Sequence, residues 1–497
     1  MPKEVTERID HFFITSPPLS ILTLATYLDA KGVDVRIIDM ELDYGLPLNE
    51  NGEKKLINHF IDDIFVEKID WIGFSTTTHD HCQASVNLAL AVKEINPEIP
   101  IIFGGYQATI TTEDLLKKYN CIDAVVVSEG ERTSFIIHQR IVNGQSIFTS
   151  KIENLAFRNN DSIMFSARGP LIDLAKIPPL KFEFLENMDK YPIMSLLSSR
   201  GCPFNCAYCT EQIMRNRYRV EPMKKIARQV KAMQELNSVR NMDINDPLFG
   251  INSKRTKQIC QILKDANYSF AYETRADVFT PSMLPEIQKT GGEVMLLGLE
   301  STSKNTLLRM NKFVDESCYH QYIQNATKLI DMCFQHDVTP MLSLMLGYPG
   351  DTLIDLQSTV DFVNKSIALY SRYYPDEDAG PGLMICPHIV FINPQSRLSY
   401  QLDDYKKKGL SYEEGDLFRP TMVKNPSSKL KHTTVLNYKK KLLMLSKITP
   451  KTMDRLMRLV WCDFKKLIEH DPTIVTNDFL STLSAYQILV KSNRKLH

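Results

Sequence analysis

The chain has 497 residues, 43% of them hydrophobic, with 59 lysines and arginines against 59 aspartates and glutamates. That length holds roughly three domains at about 100–200 residues each, and the cancelled charge excludes a whole-protein field that would draw nucleic acid or an acidic membrane. With no apolar run of about 18 residues, and with Glu4, Glu7, Asp10 and His11 breaking up the start, neither a membrane span nor a signal peptide is expected.

The expected protein is therefore soluble and cytoplasmic, and its ten cysteines are kept as thiols. From the start, apolar runs alternate with helical patterns: Phe12 to Thr15, Leu19 to Leu28, and Val35 to Ile38 beyond Gly32. Trp71 to Ser75, Ile101 to Phe103 and Ala124 to Val127 continue as short runs suited to buried strands, with a helix around Ala84 to Ile95. The rhythm predicts a doubly wound parallel sheet over residues 1–148. Ligands on such sheets bind beyond the carboxyl ends of the strands. Three strands there end in small or polar residues: Ser75-Thr76-Thr77-Thr78, Gly104-Gly105-Tyr106-Gln107 and Ser128-Glu129-Gly130-Glu131.

Through Pro17-Pro18, Gly73-Phe74-Ser75, Gly104-Gly105 and Glu129-Gly130-Glu131, residues 9 to 145 resemble the Rossmann-like cobalamin-binding domain found ahead of some radical S-adenosylmethionine (SAM) enzymes. The resemblance implies cobalamin contacts from Ser75, Thr77, Gly104, Gly105, Glu129 and Gly130. Relatives often carry a histidine where this chain has Gln107, and the Asp-x-His-x-x-Gly loop of other cobalamin families is absent.

Residues 149–190 read as a connector. It contains a hairpin, Ile152 to Arg158 and Ile163 to Phe165, turning at Asn159-Asn160-Asp161, and then a Pro178-Pro179 break. Over residues 191–400, strand and helix patterns alternate six times. The strands are Pro192 to Ser198, Met242 to Ile244, Phe270 to Thr274, Val294 to Leu299, Met341 to Leu346 and Ile385 to Ile392. This predicts a partial (β/α)6 barrel of the TIM type, with its site at the carboxyl ends of the strands. At those ends stand Cys202, Cys206 and Cys209, then Asp243, Asn245 and Asp246, Arg275 and Asp277, Glu300, and Gly347 to Pro349. Three thiolates without a nearby fourth leave one metal position open, which suggests catalysis rather than structure.

Cys-x-x-x-Cys-x-aromatic-Cys, with Gly-x-Glu-Ser at a later strand and Gly-Tyr-Pro-Gly-x-Thr at the next, resembles the radical SAM superfamily, and within it the cobalamin-dependent methylase subgroup. The resemblance implies a [4Fe-4S] cluster on Cys202, Cys206 and Cys209, and Tyr208 against the adenine. Asp243, Asn245 and Asp246 would stand near the methionyl amine of SAM. Arg275, Asp277 and Glu300 would meet its carboxylate or ribose, and Gly347 to Pro349 would shape the adenine pocket. The implied chemistry is reductive cleavage of SAM to a 5′-deoxyadenosyl radical, then methylation of an unactivated carbon from methylcobalamin. A low-potential electron donor such as a flavodoxin or ferredoxin would supply the electron. Two other readings stand beside it: a ring-forming or rearranging enzyme that uses cobalamin without methyl transfer, and a non-catalytic cobalamin sensor with a structural metal. Methylthio transfer would require a cysteine-rich N-terminal domain, and that region has only Cys82 and Cys121. Neutral charge and the lack of a nucleic-acid motif point to a small molecule, lipid or peptide as substrate.

Residues 401–497 turn polar, with Lys406 to Lys408 and Lys439 to Lys441 as solvated faces. Helical patterns at Asn437 to Lys447 and Met453 to Ile468 predict a helical region closing one end of the barrel.

Overall fold

The computed structural model describes residues 16–44, 50–313, 315–376, 378–415, 417 and 421–460. The expected strand Phe12 to Thr15 lies outside them, as does the end of the last expected helix. The N-terminal sheet is ordered β1 (Ile72–Ser75), β2 (Ile101–Gly104), β3 (Ala124–Val126), β4 (Leu155–Asn159) and β5 (Ser162–Phe165). The first three strands are parallel, as the crossover helices His79–Ile95 and Gly105–Ile110 require. The hairpin read as part of a connector instead extends this sheet: β4 runs antiparallel to β3, and Asn160 takes the left-handed φ of 53° that the tight turn needs. The sheet is thus mixed rather than wholly parallel.

Val35 to Ile38, expected as a strand, enters no ladder. Its Ile37 packs with helix Leu19–Asp29 into the core that continues under the second sheet. Tertiary burial of that apolar run therefore outweighs its strand pattern.

The second sheet is six parallel strands in the order β13-β12-β11-β10-β9-β6: β6 (Met194–Leu196), β9 (Asn241–Ile244), β10 (Ser269–Thr274), β11 (Gly292–Glu300), β12 (Thr339–Leu346) and β13 (Met384–Ile389). No ladder joins β6 to β13, so the barrel is open, as expected. Alternation along the strands sends Phe270, Tyr272, Leu297, Leu299, Leu342 and Leu344 outward under the helices, into the largest core of the molecule. The other face, Ala271, Val294, Met341, Met384 and Cys386, forms the barrel floor.

Between β6 and β9, a short antiparallel pair, β7 (Ser199–Arg200) and β8 (Arg219–Val220), brackets the cysteine loop. After β13 the chain peels off into a small antiparallel sheet, β14 (Phe391–Ile392), β16 (Thr421–Asn425) and β15 (Ser411–Glu413), which a purely helical reading of the C-terminal region omits. Helix His432–Leu443 then packs beside β13. Helix Pro450–Leu459 closes the amino ends of the strands, not the mouth. Its Leu456 and Leu459 join the apolar floor, and Arg458 reaches Asn241 at 3.1 Å and Glu293 at 2.7 Å, both at strand starts. Each fully buried leucine there stabilises the plug by about 1.5–3 kcal/mol. Among the described residues no helix is long and apolar enough to cross a membrane.

Candidate active site

Gly201 starts the cysteine loop at φ 80°, and a Cβ there would lie 2.2 Å from the Arg217 carbonyl oxygen, so only glycine lets β7 turn out against β8. The loop is then pinned from three sides. Ala207 N donates to Met310 O at 2.8 Å, Leu398 N donates to Ala207 O at 2.7 Å, and the Gln212 amide donates to the carbonyls of Cys202 and Phe204. Asp246 supports the strand that delivers it: its buried carboxylate accepts from both amides and both hydroxyls of Ser198 and Ser199, at 2.6–3.0 Å. Those four donors occupy both oxygens of the Asp246 carboxylate.

Cys206 is buried, and Cys202 and Cys209 are half-buried. Burial pushes the Cys209 thiol up to about 11 and raises that of Cys202. Thiolates here therefore need a metal to hold them deprotonated. Among the described residues no three such groups converge as a site for one ion. Arg275, expected at the SAM carboxylate or ribose, donates to Cys206 Sγ at 3.1 Å and lies 3.9 Å over the Phe204 ring. Asp277 aligns it through two hydrogen bonds of 2.9 and 2.7 Å.

Across the mouth, Tyr208 OH donates to Glu300 Oε1 at 3.2 Å, and Ser343 Oγ lies 3.5 Å from Glu300 Oε2. Glu300 holds a left-handed φ of 65°, an uncommon strain for a non-glycine residue. The sequence reading missed Lys312, whose Nζ is 3.2 Å from Glu300 Oε1 and 3.3 Å from Tyr208 OH. No motif marks it, because it reaches the site only through the turn after helix Lys304–Arg309. Asp243 and Asn245 share the luminal face of β9, with Asn245 Nδ2 donating to Ser195 Oγ at 3.1 Å. Burial pushes Asp243 up to about 6. Glu273, also missed, is open to the lumen from β10. Although the carboxyl is exposed to that lumen, the surrounding barrel wall desolvates it and, with Glu300 and Asp243 nearby, pushes it up to about 7, against the opposing charge of Lys312. Gly347, at φ 77°, faces Pro426 and Val435, and Tyr348 beside it is fully buried.

The N-terminal strand ends face this loop. Ser128 donates to the Met214 carbonyl, and Gln395 Nε2 donates to Ile110 O at 2.8 Å. Glu129, expected at cobalamin, has its carboxylate committed elsewhere: Arg200 at 3.2 Å, Arg219 at 2.7 and 3.0 Å, and the Ile172 amide at 3.1 Å. Ser75 is half-buried and Thr77 exposed at the end of β1. Gly105, at φ 90°, passes so close to Thr76 that a Cβ would lie 2.5 Å from its carbonyl oxygen. Gln107, just beyond, is 3% exposed, and its Nε2 lacks a hydrogen-bond partner. A buried orphan donor and a bare glycine turn at the strand ends fit a polar, flat ligand.

The B12 binding domain family profile matches residues 10–135, and that of the Radical SAM superfamily matches residues 196–363. An uncharacterized methyltransferase of Pyrococcus horikoshii is 26% identical over 370 residues, 72% of this chain and 75% of that protein. The anaerobic magnesium-protoporphyrin IX monomethyl ester cyclase of Synechocystis is 25% identical over 75% of this chain and 71% of its own length. Among solved structures, OxsB with aqua-cobalamin bound has a TM-score of 0.68 at 16% identity, covering 98% of this chain and 74% of that one. The methyltransferase TsrM from Kitasatospora setae, with tryptophan and a SAM analog bound, has a TM-score of 0.65 at 13% identity, covering 82% and 77%. At these identities the structural likeness speaks to the fold.

Proposed function

From the premise that this chain is a cobalamin-dependent radical SAM enzyme, we propose that it methylates an unactivated carbon of a small molecule, lipid or peptide. The carrying observation is the direct seating of the N-terminal strand ends on the cysteine loop: Glu129 and Glu131 bind Arg200, two residues before Cys202. A cofactor at those strand ends and one on the cysteines then face a common space. When bound, the cluster and SAM supply a carbon-centred radical, and cobalamin supplies the methyl group.

The chain's own residues bind and orient. Cys202, Cys206 and Cys209 hold the cluster, and Arg275 fixes the Cys206 sulfur. Tyr208 and Glu300 present a hydroxyl and a carboxylate to the nucleoside. Burial pushes the Tyr208 hydroxyl well above its usual range, so it stays a donor. The apolar floor sealed by Leu456 and Leu459 keeps water from entering behind the substrate. An external low-potential donor, a flavodoxin or ferredoxin, provides electrons.

The test is anaerobic reconstitution with iron, sulfide and cobalamin, followed by incubation with SAM carrying a CD3 methyl group and a cellular small-molecule fraction. A product heavier by the labelled methyl group, together with S-adenosylhomocysteine, is expected. 5′-Deoxyadenosine without either product would refute methyl transfer and favour the ring-forming reading, which the similarity to the cyclase supports. Methylthio transfer is disfavoured, because Cys82 and Cys121 are separately buried in the sheet core, with the Cys82 thiol pushed up to about 12.

A further inference from the structure

The turn that follows helix Lys304–Arg309 is bonded to the cysteine loop and to the arginine beside it. Met310 O receives Ala207 N, Asn311 Nδ2 donates to Asn205 O at 2.6 Å, and Lys312 O receives Arg275 Nη2 at 2.6 Å. Asn311 takes a φ of 53°, which reverses the chain and sends Lys312 back into the barrel. Lys312 is 3% exposed, so its ammonium has given up hydration for protein partners. Those partners are the two groups at the mouth, Glu300 and Tyr208.

Charge makes the placement consequential. Asp243, Glu273 and Glu300 all face the lumen, while the guanidinium of Arg275 is matched by Asp277 and the Cys206 sulfur. Lys312 is the cation that meets the Glu300 carboxylate, on a residue whose backbone is strained and needs its side chain anchored. One residue thus holds two things at once. Its carbonyl sets the arginine on the Cys206 sulfur, and its ammonium sets the carboxylate and phenol that face the nucleoside.

We propose that Lys312 is a positioning residue that fixes Glu300 and Tyr208 for SAM and, through its carbonyl, ties that pocket to the arginine on Cys206. The assignment rests on the reading of this mouth as the SAM site. Lys312 itself need not touch the reacting atoms; it lowers the freedom of groups that do, and the loss should appear in binding more than in turnover.

The experiment uses the full chain, reconstituted anaerobically to equal iron content, with SAM affinity read from its perturbation of the reduced cluster's electron paramagnetic resonance spectrum. Lys312→Met is expected to weaken SAM binding by about tenfold or more, with the spectrum before SAM addition unchanged and 5′-deoxyadenosine formation at saturating SAM within a few-fold of wild type. Lys312→Arg should recover most of the affinity, because a guanidinium can meet the same two oxygens. On a Glu300→Gln background, Lys312→Met should add little, which marks the two residues as one unit. Wild-type affinity in Lys312→Met overturns the proposal, as does a full additional loss on the Glu300→Gln background. Should Lys312→Met fail to fold, Lys312→Arg decides: retained affinity supports the role, and loss equal to that of Glu300→Gln overturns it. If the wild-type protein itself does not bind SAM, the reading of the site fails instead, before any variant is compared.

Discussion

Replacing Arg200 by methionine should partly uncouple the two halves of the molecule. The Arg200 side chain is 5% exposed, and its guanidinium lies 3.2 Å from Glu129 and 2.7 Å from Glu131. Removing one partner of a buried ion pair costs about 3–5 kcal/mol, because the other charge is stranded without water. Glu129 is not stranded here, since Arg219 still binds it at 2.7 Å. Glu131 keeps the amino end of its helix, Glu131–Val142, a favourable interaction of about 0.3–1 kcal/mol, and the charge of Lys225 nearby. The net loss is therefore about 2–5 kcal/mol.

Urea unfolding of the reconstituted protein, followed by circular dichroism and by cluster absorbance, measures the loss. The two signals should coincide in wild type and separate in Arg200→Met, as the cluster-bearing half opens first. Glu131→Gln, which leaves Arg200 its bond to Glu129, should lose less. A loss below about 1 kcal/mol in Arg200→Met, the range of an exposed pair, would refute the reasoning. Acid gives an independent handle. Burial would raise the Glu129 carboxyl, but Arg219, Arg200 and Arg215 outweigh it and hold it below the usual carboxylate range. Its contribution to stability is thus present above about pH 4.5 and is lost as pH falls through its folded value.

Gly201→Ala should remove cluster binding, because the new Cβ would lie 2.2 Å from a backbone oxygen; iron analysis after reconstitution checks this, and a full complement of iron would contradict it. Glu273 has the opposite pH sign to Glu129: its folded value is raised to about 7, so stability falls as pH climbs from about 4.5 to 7. Glu273→Gln should flatten that part of a melting-temperature profile, and an unchanged slope would count against desolvation by the lumen wall as the cause. Leu456→Ala should destabilise the barrel by about 2–5 kcal/mol through a cavity at its floor while leaving SAM affinity near wild type, measured by denaturation and titration side by side.

Local patterning made the alternating sheet, the six barrel strands and the cysteine loop legible. A strand buried on both faces is an apolar run, and a loop that holds a cluster must gather thiols within a few residues. Those properties are carried by neighbours in the chain, so the residues alone determined that a three-cysteine site stands at the mouth of a partial barrel behind a Rossmann-like sheet. Contacts between distant residues were decided only by the tertiary structure. Asp246 turned to Ser198 and Ser199, Glu129 to Arg200 and Arg219, and Arg275 to Cys206, because a buried charge takes the nearest partner that folding brings to it. The same cause placed Lys312 beside Glu300 and helix Pro450–Leu459 under the barrel floor rather than over its mouth. Neither position has a periodicity or spacing that announces it, since each is fixed by packing between elements far apart in the chain.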